Sequence, residues 1–283
     1  MKPWRLLALT ALALLAFAAN SLLCRMALAH GSIDPASFTA LRLASGALTL
    51  AVMARGRVGK ADWLAASMLW VYMACFSFAY LSLSAGTGAL ILFASVQLTM
   101  FAAGLRAGER FAAGGWAGLG LAFCGLVYLV APGLSAPPPG AAALMAIAGM
   151  AWGVYSLRGR RAGDALAASA GNFLRALPLV LLLSAAALSW WGPGLQVQAE
   201  GAALAVASGA VTSGLGYVIW YAALPVLTAM RAATVQLAVP PLAALGGVLL
   251  LSEAMSSRLL LASAAILGGI AAVLFSRSRV ETQ

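Results

Sequence analysis

Residues 6–29 read LLALTALALLAFAANSLLCRMALA, and Arg25 is their only charge. A helix of about 20 apolar residues crosses the roughly 30 Å hydrocarbon core of a bilayer. Lys2 and Arg5 lead the run, and Ala16-Phe17-Ala18 resembles a leader cleavage site. The run nevertheless continues to Ala29, so it reads as a first membrane helix rather than a removed leader.

The rest of the chain has the same texture. Of its 283 residues, 63% are hydrophobic and 8% charged, with mean hydropathy +0.98. So few charges cannot cover a water-facing surface. That excludes an ordinary soluble enzyme, a disordered chain and a β-rich secreted domain. The apolar runs are about 20 residues long rather than alternating ten-residue strands, which makes the class all-α integral membrane. Ten segments are predicted: Leu6–Ala29, Ser37–Ala54, Trp63–Leu83, Gly86–Leu105, Gly115–Val130, Ala141–Leu157, Ala165–Trp191, Ala202–Leu224, Ala229–Leu251 and Leu259–Ser276. The eighth and ninth join at Pro225 almost without a loop.

A formal charge of +10 suggests a nucleic-acid partner, but the placement of the charges argues against one. Lys2, Arg5, Arg55, Arg57, Lys60, Arg106, Arg110, Arg158, Arg160, Arg161, Arg277 and Arg279 all fall on one face of a ten-span chain, twelve of seventeen basic residues. Arg231 adds a thirteenth, while the opposite loops hold Asp34, Glu200, Glu253 and Arg258. Basic loops stay in the cytoplasm. The expectation is a multi-pass protein of the cytoplasmic (inner) membrane with both termini inside, partnered by the lipid bilayer and by no nucleic acid. An odd span count would scramble the pattern. The sequence does not fix the oligomeric state, and a monomer suffices.

Several chemistries are not expected. Cys24, Cys75 and Cys124 sit inside apolar runs with neither paired nor metal spacing, and His30 is the only histidine. No metal site, catalytic residue or cofactor is predicted. No Gly-rich loop ends in Lys-Ser/Thr, so ATP hydrolysis has no sequence support.

The connection Ala131–Gly140 holds Pro132, Pro137, Pro138 and Pro139. It divides the chain into residues 1–131, a linker at 132–140, and residues 141–283. Five helices per half would turn the second half upside down, the inverted repeat of many secondary transporters. Two registers relate the halves. One pairs Ala94–Leu98 with Ala233–Leu237; the other, offset by 144, pairs Glu109 with Glu253 and Gly125 with Gly269. They disagree by five residues, and the second keeps an acid just beyond each of two equivalent helices.

The stretch Gly216–Glu253, GYVIWYAALPVLTAMRAATVQLAVPPLAALGGVLLLSE, resembles the EamA repeat of the drug/metabolite transporter superfamily. An aromatic pair precedes Ala-Leu, a small-residue turn follows, then Pro240 and a Glu thirteen residues on. Phe78–Glu109 resembles it more weakly, with Val96 in place of the proline. Trp152-Gly153, and Pro35 with Arg42, resemble the starts of the repeat's first and second helices. The resemblance implies a ten-helix inverted-repeat carrier with helices one to four and six to nine around a cavity and the fifth and tenth outside. By length and pattern the aromatic amino-acid exporter branch looks nearest.

Polar groups at depth mark a transporter's site. Asn20, Ser95 and Gln97 lie near mid-span, and each either bonds a neighbouring helix or contacts substrate. Gln236 has the same two readings. Tyr72, Phe76 and Tyr80 share one helical face, as do Trp152 with Tyr155 and Tyr217 with Tyr221. Buried tyrosine and tryptophan need polar partners, so Tyr72, Phe76, Trp152, Tyr155 and Tyr217 are candidates to line a mainly apolar pocket. Arg25 and Arg42 are expected to snorkel to the outer ends of their helices. Arg175 is central, near Pro178, and needs either a freed carbonyl or an anion. Pro240-Pro241 is expected to break the ninth helix. All seven acids lie at ends or in loops. The resulting expectation is a secondary transporter that exports amino acids, apolar and aromatic ones included, by facilitated diffusion or exchange. Another metabolite or drug in the same superfamily, or a channel, is the alternative.

Overall fold

The computed structural model describes residues 2–60, 62–106, 113–131, 133, 136–191, 195–227, 232–233 and 235–275. Among these residues the chain is helical: α1 Pro3–Ala29, α2 Pro35–Ala54, α3 Trp63–Ala79, α4 Ala85–Arg106, α5 Ala113–Val130, α6 Pro139–Gly159, α7 Ala165–Trp191, α8 Ala199–Val226, α9 Gln236–Leu251 and α10 Ser257–Phe275. Seven of them, α1, α2 and α4 to α8, are long and apolar enough to cross a membrane. α3, α9 and the described part of α10 are shorter apolar helices. Each expected segment has a helix in its place, with ends moved by a few residues. At the start of the ninth segment Ala232, Ala233 and Val235 are helical; Arg231, Glu109, Arg110, Pro132, Arg277, Arg279 and Ser276 lie outside the described residues.

The acids at helix ends have structural work. Asp34 caps α2 by accepting from the Ser37 amide at 2.9 Å, with Pro35 as first helical residue. Asp62 caps α3 through the Ala65 amide at 3.0 Å. Asp164 accepts from the Leu166 and Ala167 amides. Each satisfies amides that a helix start leaves unpaired. α2 ends with Arg55 at φ 49° followed by Gly56 at φ 76°, a left-handed exit that turns the chain toward α3.

α3 packs on α6 and α7, and α8 packs on α1 and α2. α4 packs on α6, and α9 on α1. α2 pairs with α7, and α5 with α10. The α5–α10 pair meets through small residues. A side chain at Gly125 would press on Ala265 and Ile266; one at Gly269 would press on Gly118 and Ala122. At one end of the bundle the loop before α2 bridges the loop before α8: the Asp34 amide donates to the Gln196 carbonyl at 2.9 Å, and the Gln198 amide to that of Ser32 at 2.8 Å. At the arginine-rich end, the Gly59 amide donates to the Ala167 carbonyl at 2.8 Å.

Two helices depart from regular form. In α8, residues Ser208–Leu215 form a π-helix. The widened turns present Ser208, Thr212 and Ser213 to the core, as π segments at functional sites often do. In the ninth segment the interruption expected at Pro240-Pro241 falls just ahead of them: Ala232, Ala233 and Val235 are helical, Gln236–Ala238 form a 3₁₀ turn, and a new α-helix starts at Val239 with Pro240 and Pro241 in its first turn. Proline is tolerated there because the first amides have no helical acceptor.

Candidate functional site

The centre of the bundle is built around Arg42. It is 0% exposed, the only charged residue fully buried among the described residues. The snorkelling expectation therefore fails for it. α2 turns Phe38, Arg42 and Gly46 inward on one stripe while Leu48 and Val52 face out. Gly46 lies against Phe173, and Gly209 of α8 against the backbone of Arg42. A helix rises 1.5 Å per residue, so Arg42 begins about 10 Å inside α2. Its inward direction holds it in the protein.

Arg42 Nε donates to Ser213 Oγ at 2.9 Å. Its Nη2 donates to Tyr72 Oη at 3.1 Å and to Tyr217 Oη at 2.8 Å. The guanidinium also stacks over the rings of Tyr72 and Phe76, 5.2 and 5.0 Å from their centres. Hydrogen bonds to a charged group are worth about 1.5–3 kcal/mol each, enough to hold a buried arginine. Its Nη1 has no partner.

Asn20 joins the same network. Its Nδ2 donates to Tyr72 Oη at 3.2 Å, and its Oδ1 accepts from Ser208 and Thr212 of the π segment. The Tyr72 and Tyr217 hydroxyls lie 3.2 Å apart. The aromatic residues form a continuous layer beside them. Trp152 is 5.0 Å from Tyr72 and 4.7 Å from Tyr217, centre to centre, and Tyr155 is 5.5 Å from Trp152. Phe17 meets Trp152, Tyr217 and Trp220 edge-on. Phe76 packs against Tyr72 and Tyr80.

Of the residues singled out from sequence, Asn20, Tyr72, Phe76, Trp152, Tyr155 and Tyr217 are thus brought together. Two are not. Ser95 gives its hydroxyl to the Ile91 carbonyl of its own helix. Gln97 donates to the Ala233 carbonyl and faces α5 and α10 across a small void with Leu119, Ala122 and Ile270. Gln236 accepts from Trp152 Nε1 at 2.9 Å. Arg175 sits apart and donates to the Gly59 carbonyl at 3.0 Å, so its carbonyl partner comes from the α2–α3 loop rather than from the turn at Pro178.

A cavity of about 580 Å³ enters from the arginine-rich end, lined by Asp62, Arg158, Arg161, Asp164, Asn172 and Tyr221 among others. Its inner wall touches the aromatic layer, since Tyr221 lies 5.0 Å from Tyr155. Arg158 and Asp62 form an ion pair at its rim, 2.9 Å. At the opposite end Arg25 pairs with Glu253 and donates to the Tyr80 and Leu81 carbonyls. No group of three or more His, Cys, Asp or Glu residues able to hold a metal occurs among the described residues.

Residues 140–275 match the EamA-like transporter family. A protein of Pseudomonas aeruginosa, described as uncharacterized, is 54% identical over 282 residues, 98% of this chain and 97% of its own. The chain belongs to the EamA-like transporter family. One crystal structure shares its fold, with a TM-score of 0.68 at 20% identity over 96% of this chain and 98% of that one. The chain's family is one of membrane transporters, and its long apolar helices fit a multi-pass membrane protein.

Arg42, Ser208, Thr212, Ser213 and Phe17 are the members of the centre that the sequence reading did not select. For Arg42 a signal existed: Phe38 and Gly46 flank it at four-residue spacing, on the stripe opposite Leu48 and Val52. The π segment has no such local signature.

Proposed function

We propose that this EamA-like protein is a secondary carrier that exports amino acids, apolar and aromatic ones included, across the cytoplasmic membrane by alternating access. The observation that carries the reading is the buried layer of Tyr72, Trp152, Tyr155 and Tyr217, contributed by both halves of the chain and adjoining a cavity that enters from the arginine-rich end. An apolar pocket with a few polar groups suits such side chains.

The wider architecture of the proposal is ten crossings in two inverted five-helix repeats, with the arginine-rich end and both termini in the cytoplasm. Three features support it. Exchanging first-half for second-half helices turns the α3–α6 contact into α8–α1, α4–α6 into α9–α1, and α3–α7 into α8–α2, and all of these contacts occur. Gly125 and Gly269, equivalent at an offset of 144, serve the α5–α10 interface reciprocally. The basic loops gather at one end. Rocking of such halves about a central site would expose it to each side in turn.

The test is counterflow into proteoliposomes against a panel of labelled amino acids. W152A/Y155A is expected to cut uptake while leaving the purified protein monodisperse. Full uptake by that variant removes the aromatic layer from the transport path. Flux that does not saturate would mark a channel.

A further inference from the structure

We infer that Arg42 is the anion-binding group of the carrier and that the cargo is recognised by its carboxylate, not by an ammonium. The inference rests on the carrier reading for its cargo, and on hydrogen-bond accounting for its site.

The network around Arg42 has more donors than acceptors. Both Nη2 hydrogens are used, on Tyr72 and Tyr217, and Nε is used on Ser213. Nη1 keeps two hydrogens without a partner at zero exposure. The Tyr72 and Tyr217 hydroxyls share one hydrogen bond. Whichever of them donates, the other phenolic hydrogen finds no acceptor among the described residues. Tyr72 Oη already receives Asn20 Nδ2 and Arg42 Nη2. Asn20 Oδ1 is taken by Ser208 and Thr212. No carboxylate reaches the guanidinium: the acids of the described residues, Asp34, Asp62, Asp164, Glu200 and Glu253, all lie at helix ends or in loops. Buried charges in proteins are paired, and buried donors are satisfied. The centre therefore carries one positive charge and at least three unused hydrogens, and what completes it is an anionic acceptor.

The chemistry selects among anions. Arginine offers a planar edge that matches a carboxylate. One carboxylate neutralises one guanidinium. A phosphate monoester carries about −1.5 to −2 charges at neutral pH and would leave excess negative charge in an aromatic shell. Among the described residues no buried acid is placed beside Arg42 to hold an ammonium, so an amino group contributes little. The cargo class is a small monocarboxylate with an apolar or aromatic body, which Phe17, Phe76 and Trp152 would enclose. The route is short: Tyr221 lines the cavity, Tyr155 lies next to it, and the Tyr155 ring is 6.2 Å from that of Tyr217, a partner of Arg42.

The test uses the full chain in lipid nanodiscs and reads the fluorescence of Trp152 and Trp220, which flank the site. The probes share one body: 3-phenylpropionate, L-phenylalanine, L-phenylalaninamide, phenethylamine and phenyl phosphate. Saturable changes are expected with the two carboxylates, and binding about 10- to 100-fold weaker with the amide and the amine, the factor a charge-assisted hydrogen bond supplies. R42Q is expected to abolish carboxylate binding, R42K to retain a fraction, and S213A to weaken it. If R42Q does not fold, the acid-over-amide preference of the unmodified chain decides. Equal binding of acid, amide and amine, no response to either carboxylate, preference for phenyl phosphate, or a folded R42Q that binds carboxylates normally each overturns the proposal. Counterflow of the same probes separates this from the carrier reading. Carboxylate-selective fluorescence without transport leaves the site standing and sinks the carrier. Transport indifferent to the carboxylate does the reverse.

Discussion

Arg25 and Glu253 are 228 residues apart in sequence and 3.1 Å apart in space. Around them the end of the bundle is tied together: Arg25 also holds the Tyr80 carbonyl at 2.9 Å, and Glu253 accepts the Ala85 amide at 2.8 Å. α1, α3, α4 and the loop after α9 thus meet at one ion pair, on the end opposite the cavity. The arginine-rich end carries an ion pair of its own, Arg158 with Asp62. For a carrier, the Arg25–Glu253 pair, at the end without the cavity, is the natural holder of that closure.

That arrangement gives the first prediction. Both side chains of the Arg25–Glu253 pair are mostly buried, so E253Q should remove about 1–3 kcal/mol from the closed state, a shift of roughly 5- to 150-fold in the populations. Cys24 is fully buried next to Arg25. In a C75S/C124S background, a membrane-impermeant maleimide should label Cys24 about tenfold faster in E253Q than in the parent. An unchanged labelling rate would mean that the pair does not hold this end shut.

The second prediction concerns the approach of α2 and α8. A Cβ at Gly209 would overlap the Arg42 carbonyl and the Ser45 hydroxyl. The obstacle at Arg42 is backbone, which cannot swing away, so G209A should force the helices apart. Overpacking of this kind costs about 1–3 kcal/mol. Thermal unfolding in detergent should fall by several degrees, and Arg42-dependent ligand binding should weaken with it. Gly120 in α5 meets nothing within 4 Å. G120A is the control and should leave the melting temperature unchanged or raised.

Legibility differed between the helices and the centre. The lengths of the apolar runs mark where helices lie, because crossing length is a property of a segment alone. The aromatic members of the centre were visible too, since Tyr72 with Phe76 and Trp152 with Tyr155 fall at helical spacing. Arg42 was legible only through its stripe with Phe38 and Gly46, because an arginine in the first half of a helix satisfies the snorkelling argument whichever way it points; packing against α7 and α8 fixes its direction. The π-helix at Ser208–Leu215 is likewise a tertiary product: no local residue pattern demands it, yet it aims three hydroxyls inward. Ser95 and Gln97 have the chemistry of site residues, and depth along α4 did not distinguish a face toward the centre from those that Ser95 turns to α6 and Gln97 to α5 and α10.

A third prediction follows from where the acids sit. Asp34, Asp62 and Asp164 cap helices, Glu253 is held by Arg25, and Glu200 lies in the first turn of α8. None of these five is at bilayer depth to take up and release a proton as the halves rock, and tyrosine, with a reference pKa of about 10, is a poor carrier at neutral pH. Transport in proteoliposomes should therefore follow the substrate gradient. Adding an uncoupler should leave initial counterflow rates unchanged. A several-fold loss on collapsing the proton gradient would refute substrate-driven exchange and direct attention to Glu109.

The last prediction is a thermodynamic cycle at the link between α6 and α9. Trp152 Nε1 donates to Gln236 Oε1 at 2.9 Å, and Gln236 Nε2 donates on to the Ala232 carbonyl at 2.9 Å. Trp152 and Gln236 are both fully buried. W152F keeps an aromatic ring beside Phe17 and Tyr72 but leaves the Gln236 oxygen without a donor. A buried acceptor stranded in this way costs about 1–3 kcal/mol, whereas removing both polar partners together is nearly neutral. W152F alone should therefore lower the melting temperature measurably, and W152F/Q236L should recover most of the loss. The Gln236–Ala232 bond is lost as well in the double variant, so recovery should be incomplete. If the double variant is no more stable than W152F, the bond is not what joins these helices, and the stability of α9 must come from its packing on α1 and α4 alone.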